Sequence, residues 1–509
     1  MLAYGRQGKP RSFLILLSWA PGEECMQRKR VVVASVCGLV LTSLIGILMP
    51  DTSQAIPPFA RKYGTSCSTC HIAIPKLNSY GDAFRRNGYV LPAADKAFIK
   101  EQPVSLGAKA WEDLWPKSIW PGEIMGSVPF GVYMHQRAVL QFSEDRTKDT
   151  LFFDAPHELE LLMGGNLGKK ISFFGEWIFF EKEKNAEGLK RLFVQFNDMF
   201  SKRGGLPENL LNIKFGRIEP GTQGGYKDAS KRLTMEHPIT GDLRALENTG
   251  LSLWDSGFRW RMRDQQSGLE LNGIVKHYFE YSAGILNGEK FTVSEGKGGQ
   301  STAKDSYARI AFKFGGMGFD GHGVGEGLNE TQNWRDDSVT LGAYYYNGHT
   351  LQDGATVSPT TENHFDRLGA DLRWQYNALD IMAGYIQGTD ELDGTLSSDD
   401  VDSSAWFIEP SYRFLPWLIG QVRFEQFKVE CDTGGFDSGT GACSGSGTGI
   451  LKEGTRINPH LLFLVRPNIR FGLEYLYEDR DWWKGAQPMS GTDDAKSSKW
   501  VKANFQIVF

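Results

Sequence analysis

The chain has 509 residues, of which 40% are hydrophobic and 23% are charged, and its formal net charge is −5. These proportions exclude a disordered chain and a protein of many transmembrane helices, and no basic excess points to nucleic acid as a partner. The 59 glycines and 12% aromatic residues are typical of β-rich proteins, including membrane barrels whose polar lumen residues offset their lipid-facing ones.

The first 55 residues are expected to be an export signal. The basic cluster Arg28–Arg30 precedes the apolar run Val31–Met49, and Ser53–Ala55 has the small-x-small pattern of a cleavage site. An uncleaved anchor is the alternative, and Met26 is an alternative start that would place residues 1–25 outside the protein. We expect the mature chain to begin near Ile56, in an oxidising compartment outside the cytoplasm.

The sequence Cys67-Ser68-Thr69-Cys70-His71 has the C-x-x-C-H spacing of covalent c-type haem attachment. On a helix these positions share one face, so both thiols reach the two vinyl groups of a porphyrin while His71 binds the iron as proximal ligand. A redox C-x-x-C pair and half a zinc site are the alternatives. Neither has its usual surroundings, a thioredoxin-like βαβ unit or a second Cys/His pair.

The residues that follow the motif also suit a haem. Pro75 can open a second short helix, and Gly88 can end it. An apolar stripe on this helix either lies against the porphyrin or forms an ordinary helix core. The stripe consists of Leu77, Tyr80 and Phe84.

Residues 56–103 form the cytochrome-like part, which is predicted to be a small α-helical segment. Gly81 allows a close approach of the chain, while Arg85 and Arg86 either pair with haem propionates or remain solvated. So short a segment rarely builds a stable core alone and cannot cover both faces of a haem. A second body must therefore cover the other face, and the rest of the chain is the candidate.

Residues 104–127 are interpreted as a linker, and residues 128–509 as an antiparallel transmembrane β-barrel of about sixteen strands. Short connections such as Pro467–Asn468 alternate with long ones such as Cys431–Lys452, an asymmetry that a soluble β-sandwich does not need. The irregular stretch Gln223–Trp260 is either a long loop or an insert in the lumen. The alternation predicts strands at Gly131–Phe142, Ile171–Phe180, Leu189–Phe196, Ile213–Ile218, Tyr307–Phe314, Val339–Tyr346, Leu368–Tyr376, Ile381–Gln387, Trp406–Phe414, Ile419–Val429, Ile457–Val465, Phe471–Tyr477 and Val501–Phe509.

The end of the chain carries the sharpest barrel signal. Apolar residues alternate with polar ones along Val501–Phe509, and the last residue is Phe509. A final alternating strand that ends in Phe resembles the assembly signal of bacterial outer-membrane proteins. A soluble edge strand is the alternative.

The distal haem ligand must come from beyond residue 103, because no His or Met follows His71 within the cytochrome-like part. His135 is the first candidate, since alternation places it on the polar face near the start of the first strand. His157 is the second, although its neighbours suggest the lipid-facing side. Met125 and Met134 are further alternatives.

An exported C-x-x-C-H segment joined to a porin-like barrel resembles the family of fused outer-membrane c-type cytochrome–porins. The resembling residues are Phe59–Arg61, Cys67–His71, Pro75–Leu77, Tyr80, Gly81, Phe84, Gly88 and Tyr89. The resemblance implies one covalent haem c held by Cys67, Cys70 and His71, with the cytochrome segment plugging the barrel or lying at its periplasmic side.

The same resemblance implies an outer-membrane electron-transfer protein, or an oxidoreductase of the iron(II)-oxidising type. Its partners would be an extracellular metal ion or redox partner, a periplasmic c-type cytochrome or similar carrier, and outer-membrane lipid. No catalytic acid, base or nucleophile is expected. The alternatives are a passive diffusion porin whose haem plug is structural or regulatory, and a small-ligand sensor or peroxidase with an open sixth iron position.

Overall fold

The computed structural model describes most of the chain beyond the predicted export signal, which lies outside the described residues. The described residues are 57–92, 99–101, 104–105, 113–117, 123–124, 126, 129–143, 149–168, 170–181, 188–201, 205–220, 229–235, 238, 265–292, 297–299, 304–323, 335–353, 361–393, 400–431, 436–437, 442–443, 450–482 and 497–509. No helix in this part of the chain is long and apolar enough to span a membrane.

The described residues form a closed antiparallel barrel of sixteen strands, as the sequence predicts. The barrel closes because the last strand pairs antiparallel with the first, from Ser498 opposite Ser143 to Val508 opposite Tyr133. The strands are β1 (Phe130–Ser143), β2 (Thr150–Leu167), β3 (Ile171–Glu181), β4 (Gly188–Phe196), β5 (Asn212–Ile218), β6 (Gln266–Val275), β7 (Phe279–Leu286), β8 (Asp305–Phe314), β9 (Ser338–Asp353), β10 (Thr361–Tyr376), β11 (Leu379–Asp393), β12 (Val401–Leu415), β13 (Leu418–Cys431), β14 (Ile450–Arg466), β15 (Ile469–Trp482) and β16 (Ser497–Val508).

The two faces of the wall differ in chemistry because successive side chains of a strand point to opposite sides. Large apolar side chains such as Phe215 and Trp406 are exposed on the outside, while Glu270, Arg423 and Asn504 are buried inside. This apolar-out, polar-in pattern is that of a barrel which faces lipid outside and a polar lumen inside.

The connections differ between the two ends of the barrel, as predicted. Short turns such as Asn377–Ala378, Pro416–Trp417 and Pro467–Asn468 join strands at one end, which we call the short-turn end. Strand β2 is additional to the thirteen strands that the alternation predicts, and so are strands β6 and β7. Glycine and serine hold many of their positions, including Gly268 and Gly284, and this dilutes the apolar pattern.

The N-terminal segment, residues 57–92, contains two short helices, α1 (Pro58–Tyr63) and α2 (Ser79–Arg86). Between them lie a 3₁₀ turn, Cys67–Thr69, and two short paired strands, His71–Ala73 and Lys76–Leu77. The prediction that Pro75 opens the second helix is wrong: Pro75 lies between the paired strands. The helix begins after Asn78, whose side chain caps it by accepting from the Gly81 N–H.

The apolar stripe of α2 belongs to the core of this segment. Tyr80 and Phe84 are buried in one cluster with Tyr63, Tyr89 and Leu91. The ring centroid of Phe84 lies 5.9 Å from that of Tyr63 in an edge-on arrangement. Tyr80 and Phe84 therefore belong to an ordinary core, whereas Leu77 precedes α2 and lies outside this cluster.

The N-terminal segment plugs the short-turn end of the barrel. Arg61 donates to the carbonyl of Phe130 at the start of β1. Lys62 donates to Asn166 near the end of β2. On the other side of the lumen, Ser79 donates to Asp336, just before β9. The segment is therefore hydrogen-bonded to parts of the wall that lie far apart around the barrel.

Candidate functional site

The Cys67–His71 motif lies on a single tight turn and not on the α-helix that the sequence predicts. Cys67–Thr69 form one 3₁₀ turn, and the Cys70 N–H donates to the Cys67 carbonyl at 3.2 Å. Positions i and i+3 eclipse in a 3₁₀ helix, so the turn keeps Cys67 and Cys70 on one side. His71 follows at the start of a short strand. The two thiols therefore share one side, as the spacing predicts, but in a different backbone conformation.

The His71 ring is oriented by its own backbone surroundings. Its Nδ1 lies 3.1 Å from the carbonyl oxygen of Pro75. Since a carbonyl only accepts, Nδ1 carries the proton and donates, and Nε2 keeps its lone pair. Burial lowers the pKa of His71 to about 4, so the ring is neutral near pH 7. A neutral imidazole with one nitrogen anchored to a backbone carbonyl is the usual form of a metal-binding histidine.

The two thiols do not have the environment of a redox pair. Burial raises the pKa of Cys70 to about 12, and burial also raises the pKa of Cys67. Redox-active cysteines need a lowered pKa, because the thiolate is the reactive species. Burial of the two thiols therefore argues against thiol–disulfide exchange at this pair.

Asn78 and Gly81 hold the turn against α2, and pattern analysis did not identify Asn78. The Asn78 side chain, which is fully buried, donates to the Thr69 carbonyl at 3.0 Å, and its backbone N–H donates to the Cys70 carbonyl at 3.0 Å. A Cβ at Gly81 would lie 2.1 Å from the Cys70 oxygen, so only glycine permits this approach. An asparagine just before a helix was the signal that could have identified this residue.

Arg85 and Arg86 join the segment to the lumen. Arg86 makes a two-pronged contact with Glu280 of β7, at 2.7 Å and 3.0 Å. Arg85 donates to Ser230 at 3.0 Å. Since Glu280 pairs with the Arg86 guanidinium inside the lumen, the solvated alternative for Arg86 is wrong, whereas propionate pairing stays a prediction.

Asp82 of α2 completes this charged cluster. Burial raises its pKa, but Lys231, Arg86, Arg85 and Arg373 outweigh burial and hold the pKa well below its usual range. Lys231 lies 2.5 Å from the carboxylate. Lys231 comes from the predicted loop or lumen insert, and its described part, residues 229–235, lies in the lumen.

His135 faces the lumen, as predicted. It is fully buried, its Nε2 lies 3.0 Å from Asn504 Oδ1, and its ring centroid lies 4.8 Å from that of His157. The face of the strand is confirmed, whereas the role of His135 as a distal ligand stays a prediction.

The suggestion that His157 faces lipid is wrong, because His157 is buried beside His135. The alternation along β2 is broken by a bulge: His135 pairs with Glu158, but Arg137, two residues later, pairs with Asp154. The extra residues on β2 turn His157 inward.

Of the two methionine alternatives, the structure describes only Met134. Met134 is adjacent to His135 on β1 and therefore points to the outer face. Met125 lies outside the described residues.

The lumen beside the motif contains donors that suit an anionic cofactor. Cys67 packs against the cluster formed by Ile74, Tyr133 and Val508. Tyr133 in turn accepts from Gln506, which also contacts Arg470. The Arg470 guanidinium is 2% exposed, and its Nη1 has no hydrogen-bond partner among the described residues. Haem propionates would satisfy such a buried cation, so the residues present fit a haem.

No family model matches the chain, and no curated protein matches it. Among solved structures it is similar to an outer membrane protein OmpT of Vibrio cholerae in its trimer form, at 12% identity and TM-score 0.47, over 75% of this chain and 99% of that one. The outer membrane channel DcaP of Acinetobacter baumannii gives 13% identity and TM-score 0.46, over 75% and 96% of the two chains. Salmonella typhi OmpF in complex with daunomycin gives 11% identity and TM-score 0.43, over 76% of this chain and 98% of that one.

By its own strand order and faces, the described part of the chain is a sixteen-stranded porin-like barrel with an N-terminal plug.

Proposed function

We propose that this protein is an outer-membrane c-type cytochrome–porin fusion. One covalent haem c is held by Cys67 and Cys70, with His71 as proximal ligand. Electrons pass between an extracellular donor or acceptor, with iron(II) as one candidate donor, and a periplasmic carrier such as a c-type cytochrome. The observation that carries the proposal is the His71 Nδ1 contact with the Pro75 carbonyl at 3.1 Å, within a C-x-x-C-H turn.

In this proposal, the residues of the chain bind the haem, orient it and insulate it. The haem, when bound, supplies one-electron redox chemistry. His71 donates its Nδ1 proton to Pro75, which fixes the tautomer and aims Nε2 at the iron position. Arg470 supplies positive charge for a propionate. No step requires a proton to move to or from substrate, so no general acid or base is needed.

The proposed location is the bacterial outer membrane, with the plug on the periplasmic side. Three observations support it. The outer face of the wall is apolar, polar side chains line the lumen, and the barrel is closed by the antiparallel pairing of β16 with β1. Barrels of this kind have short periplasmic turns and long extracellular loops, so the short-turn end faces the periplasm. A periplasmic carrier could then approach the proposed haem directly.

A passive diffusion porin is the second candidate, and the porin-like barrel with its polar lumen favours it. The plug argues against free passage, since its ion pairs and hydrogen bonds reach Asn166, Glu280 and Asp380 on separate parts of the wall. The cavity between α2 and the wall holds only about 50 Å³. A diffusing solute would therefore require the plug to move.

The deciding experiment uses the purified full chain and its Cys67→Ala/Cys70→Ala variant. We expect haem staining and the mass of one covalent haem in the wild type only, with equal barrel content by circular dichroism. Stopped-flow reduction by iron(II), followed by reoxidation by a soluble cytochrome c, tests electron transfer. The proposal fails if the wild type lacks covalent haem or does not exchange electrons faster than the variant. Solute conductance that is equal in both proteins, without electron transfer, would support the porin instead.

A further inference from the structure

We infer that the Met235 thioether is the sixth ligand of the haem iron, opposite His71. This inference rests on the proposed haem at Cys67, Cys70 and His71. Met235 lies in the stretch 229–235, which was expected to be a loop or a lumen insert and is described inside the barrel. Neither spacing nor alternation identified Met235 as a candidate.

The course of this stretch leads it toward the motif. Its 3₁₀ turn, Ala229–Lys231, lies against Lys76–Leu77 of the plug. Two residues further, Leu233 packs in one cluster with Ile72 and Ala73. The contacts of the stretch thus move backward along the plug, from residues 76–77 to residues 72–73.

The contacts of Met235 connect it to the cysteines by a second route. Its sulfur accepts from the Nη2 of Arg470 at 3.2 Å and from the side-chain amide of Gln506. The same amide donates to the Tyr133 hydroxyl at 2.8 Å. Tyr133 belongs to the cluster against which Cys67 packs. Gln506 and Tyr133 therefore link the Met235 sulfur to the cluster beside Cys67.

The surroundings of the sulfur suit a ligand better than a packing residue. Methionines in protein cores usually lie among apolar side chains. Here two N–H donors point at the sulfur, although a thioether is only a weak hydrogen-bond acceptor. A thioether is instead a good ligand for haem iron, and it raises the reduction potential relative to a second imidazole. Coordination would also release Arg470 to pair with a propionate.

Two histidines of the lumen near this wall, His135 and His460, direct their Nε2 atoms to the wall. The Nε2 of His135 is engaged by Asn504 at 3.0 Å. The ring of His460 lies along the wall, since a Cβ at Gly472 of the neighbouring strand would be 2.6 Å from its Nε2. Met235 is therefore preferred over both.

The test compares purified holoproteins that carry Met235→Leu or Met235→His with a matched control, Met382→Leu. Met382 is a buried methionine of β11 outside the proposed site. Leucine conserves volume, so covalent haem should be retained in each protein. We expect the oxidised wild type and the control to show the weak sulfur-to-iron(III) charge-transfer band. Met235→Leu should lose this band and bind carbon monoxide when reduced, whereas Met235→His should lose it, stay six-coordinate and have a lower potential.

The possible outcomes separate this inference from the proposed function. A wild type without covalent haem overturns both. Covalent haem without the sulfur band, or a band that survives in Met235→Leu, overturns the sixth-ligand assignment alone. In that case, a change to five-coordinate iron in His135→Ala or His460→Ala would identify a histidine as the ligand.

Discussion

The ammonium of Lys76 in the plug lies 2.9 Å from the carboxylate of Asp380 on β11, and the Lys76 side chain is only 1% exposed. Asp380 also receives both prongs of Arg373, at 3.0 Å and 2.9 Å. One buried carboxylate therefore connects the plug to the wall and balances two cations. This contact bears directly on whether the plug can leave the lumen.

Replacing Asp380 by Ala should release the plug. The substitution leaves Lys76 and Arg373 without their shared anion, and removal of one partner of a buried ion pair costs about 3–5 kcal/mol. We expect faster proteolysis of the N-terminal segment in detergent, with the barrel still folded by heat-modifiability on a gel. The matched control is Glu430→Gln, which breaks the exposed Lys428–Glu430 pair and should cost at most about 1 kcal/mol. If the N-terminal segment were equally protected from proteolysis in both variants, a docking role for Asp380 would be contradicted.

Gly81→Ala should disrupt the attachment turn. The new Cβ would lie 2.1 Å from the Cys70 oxygen, so the helix must move away from the motif. Overpacking of this kind costs about 1–3 kcal/mol, and we expect a several-fold lower yield of covalent haem on stained gels. Gly131→Ala is the control, because its nearest neighbour would be at 3.4 Å, an ordinary contact. A normal haem yield in Gly81→Ala would show that the close approach is not required.

The two roles of Asn78 can be separated by substitution. Asn78→Asp keeps the oxygen that caps α2 but loses the amide that donates to the Thr69 carbonyl. Asn78→Ala loses both, and loss of the cap alone costs about 0.5–2 kcal/mol. We expect the midpoint temperature of plug unfolding to be highest in the wild type, lower in Asn78→Asp and lowest in Asn78→Ala. Near-ultraviolet circular dichroism would monitor this unfolding. The account is wrong if Asp and Ala destabilise the plug equally.

Docking of the plug should weaken in acid through Asp82. Its folded pKa is held below the unfolded value by nearby cations despite burial. A carboxyl group whose pKa is lower in the folded than in the unfolded state stabilises the fold, and this stabilisation is complete above the unfolded pKa. It is lost as the pH falls below about 5 toward the folded pKa. Protease protection of the plug should therefore decline with acid in the wild type. In Asp82→Asn, protease protection of the plug should be lower than in the wild type at neutral pH. It should also change less as the pH falls over the same range.

Features that depend on neighbouring residues were predictable. The C-x-x-C-H spacing, the alternation of the strands, and the short and long connections are all local in the chain, and the barrel of sixteen strands follows from them. Errors occurred where a distant residue decides the outcome. Arg86 was read from its own helix, but its partner Glu280 lies 194 positions later. His157 was read by strict alternation, but the pairing of two strands introduces a bulge.

The sequence by itself determined the attachment motif and the apolar-out, polar-in wall, because each is encoded by a short repeat or a fixed spacing. Only the tertiary structure decided that residues 57–92 fill the short-turn end, that Asn78 holds the Cys67–Thr69 turn against α2, and that Met235 contacts Arg470 and Gln506 inside the lumen. The physical reason is that these contacts join polar groups from remote parts of the chain inside one lumen. There, burial makes each hydrogen bond or ion pair depend on which partners the closed sheet brings together.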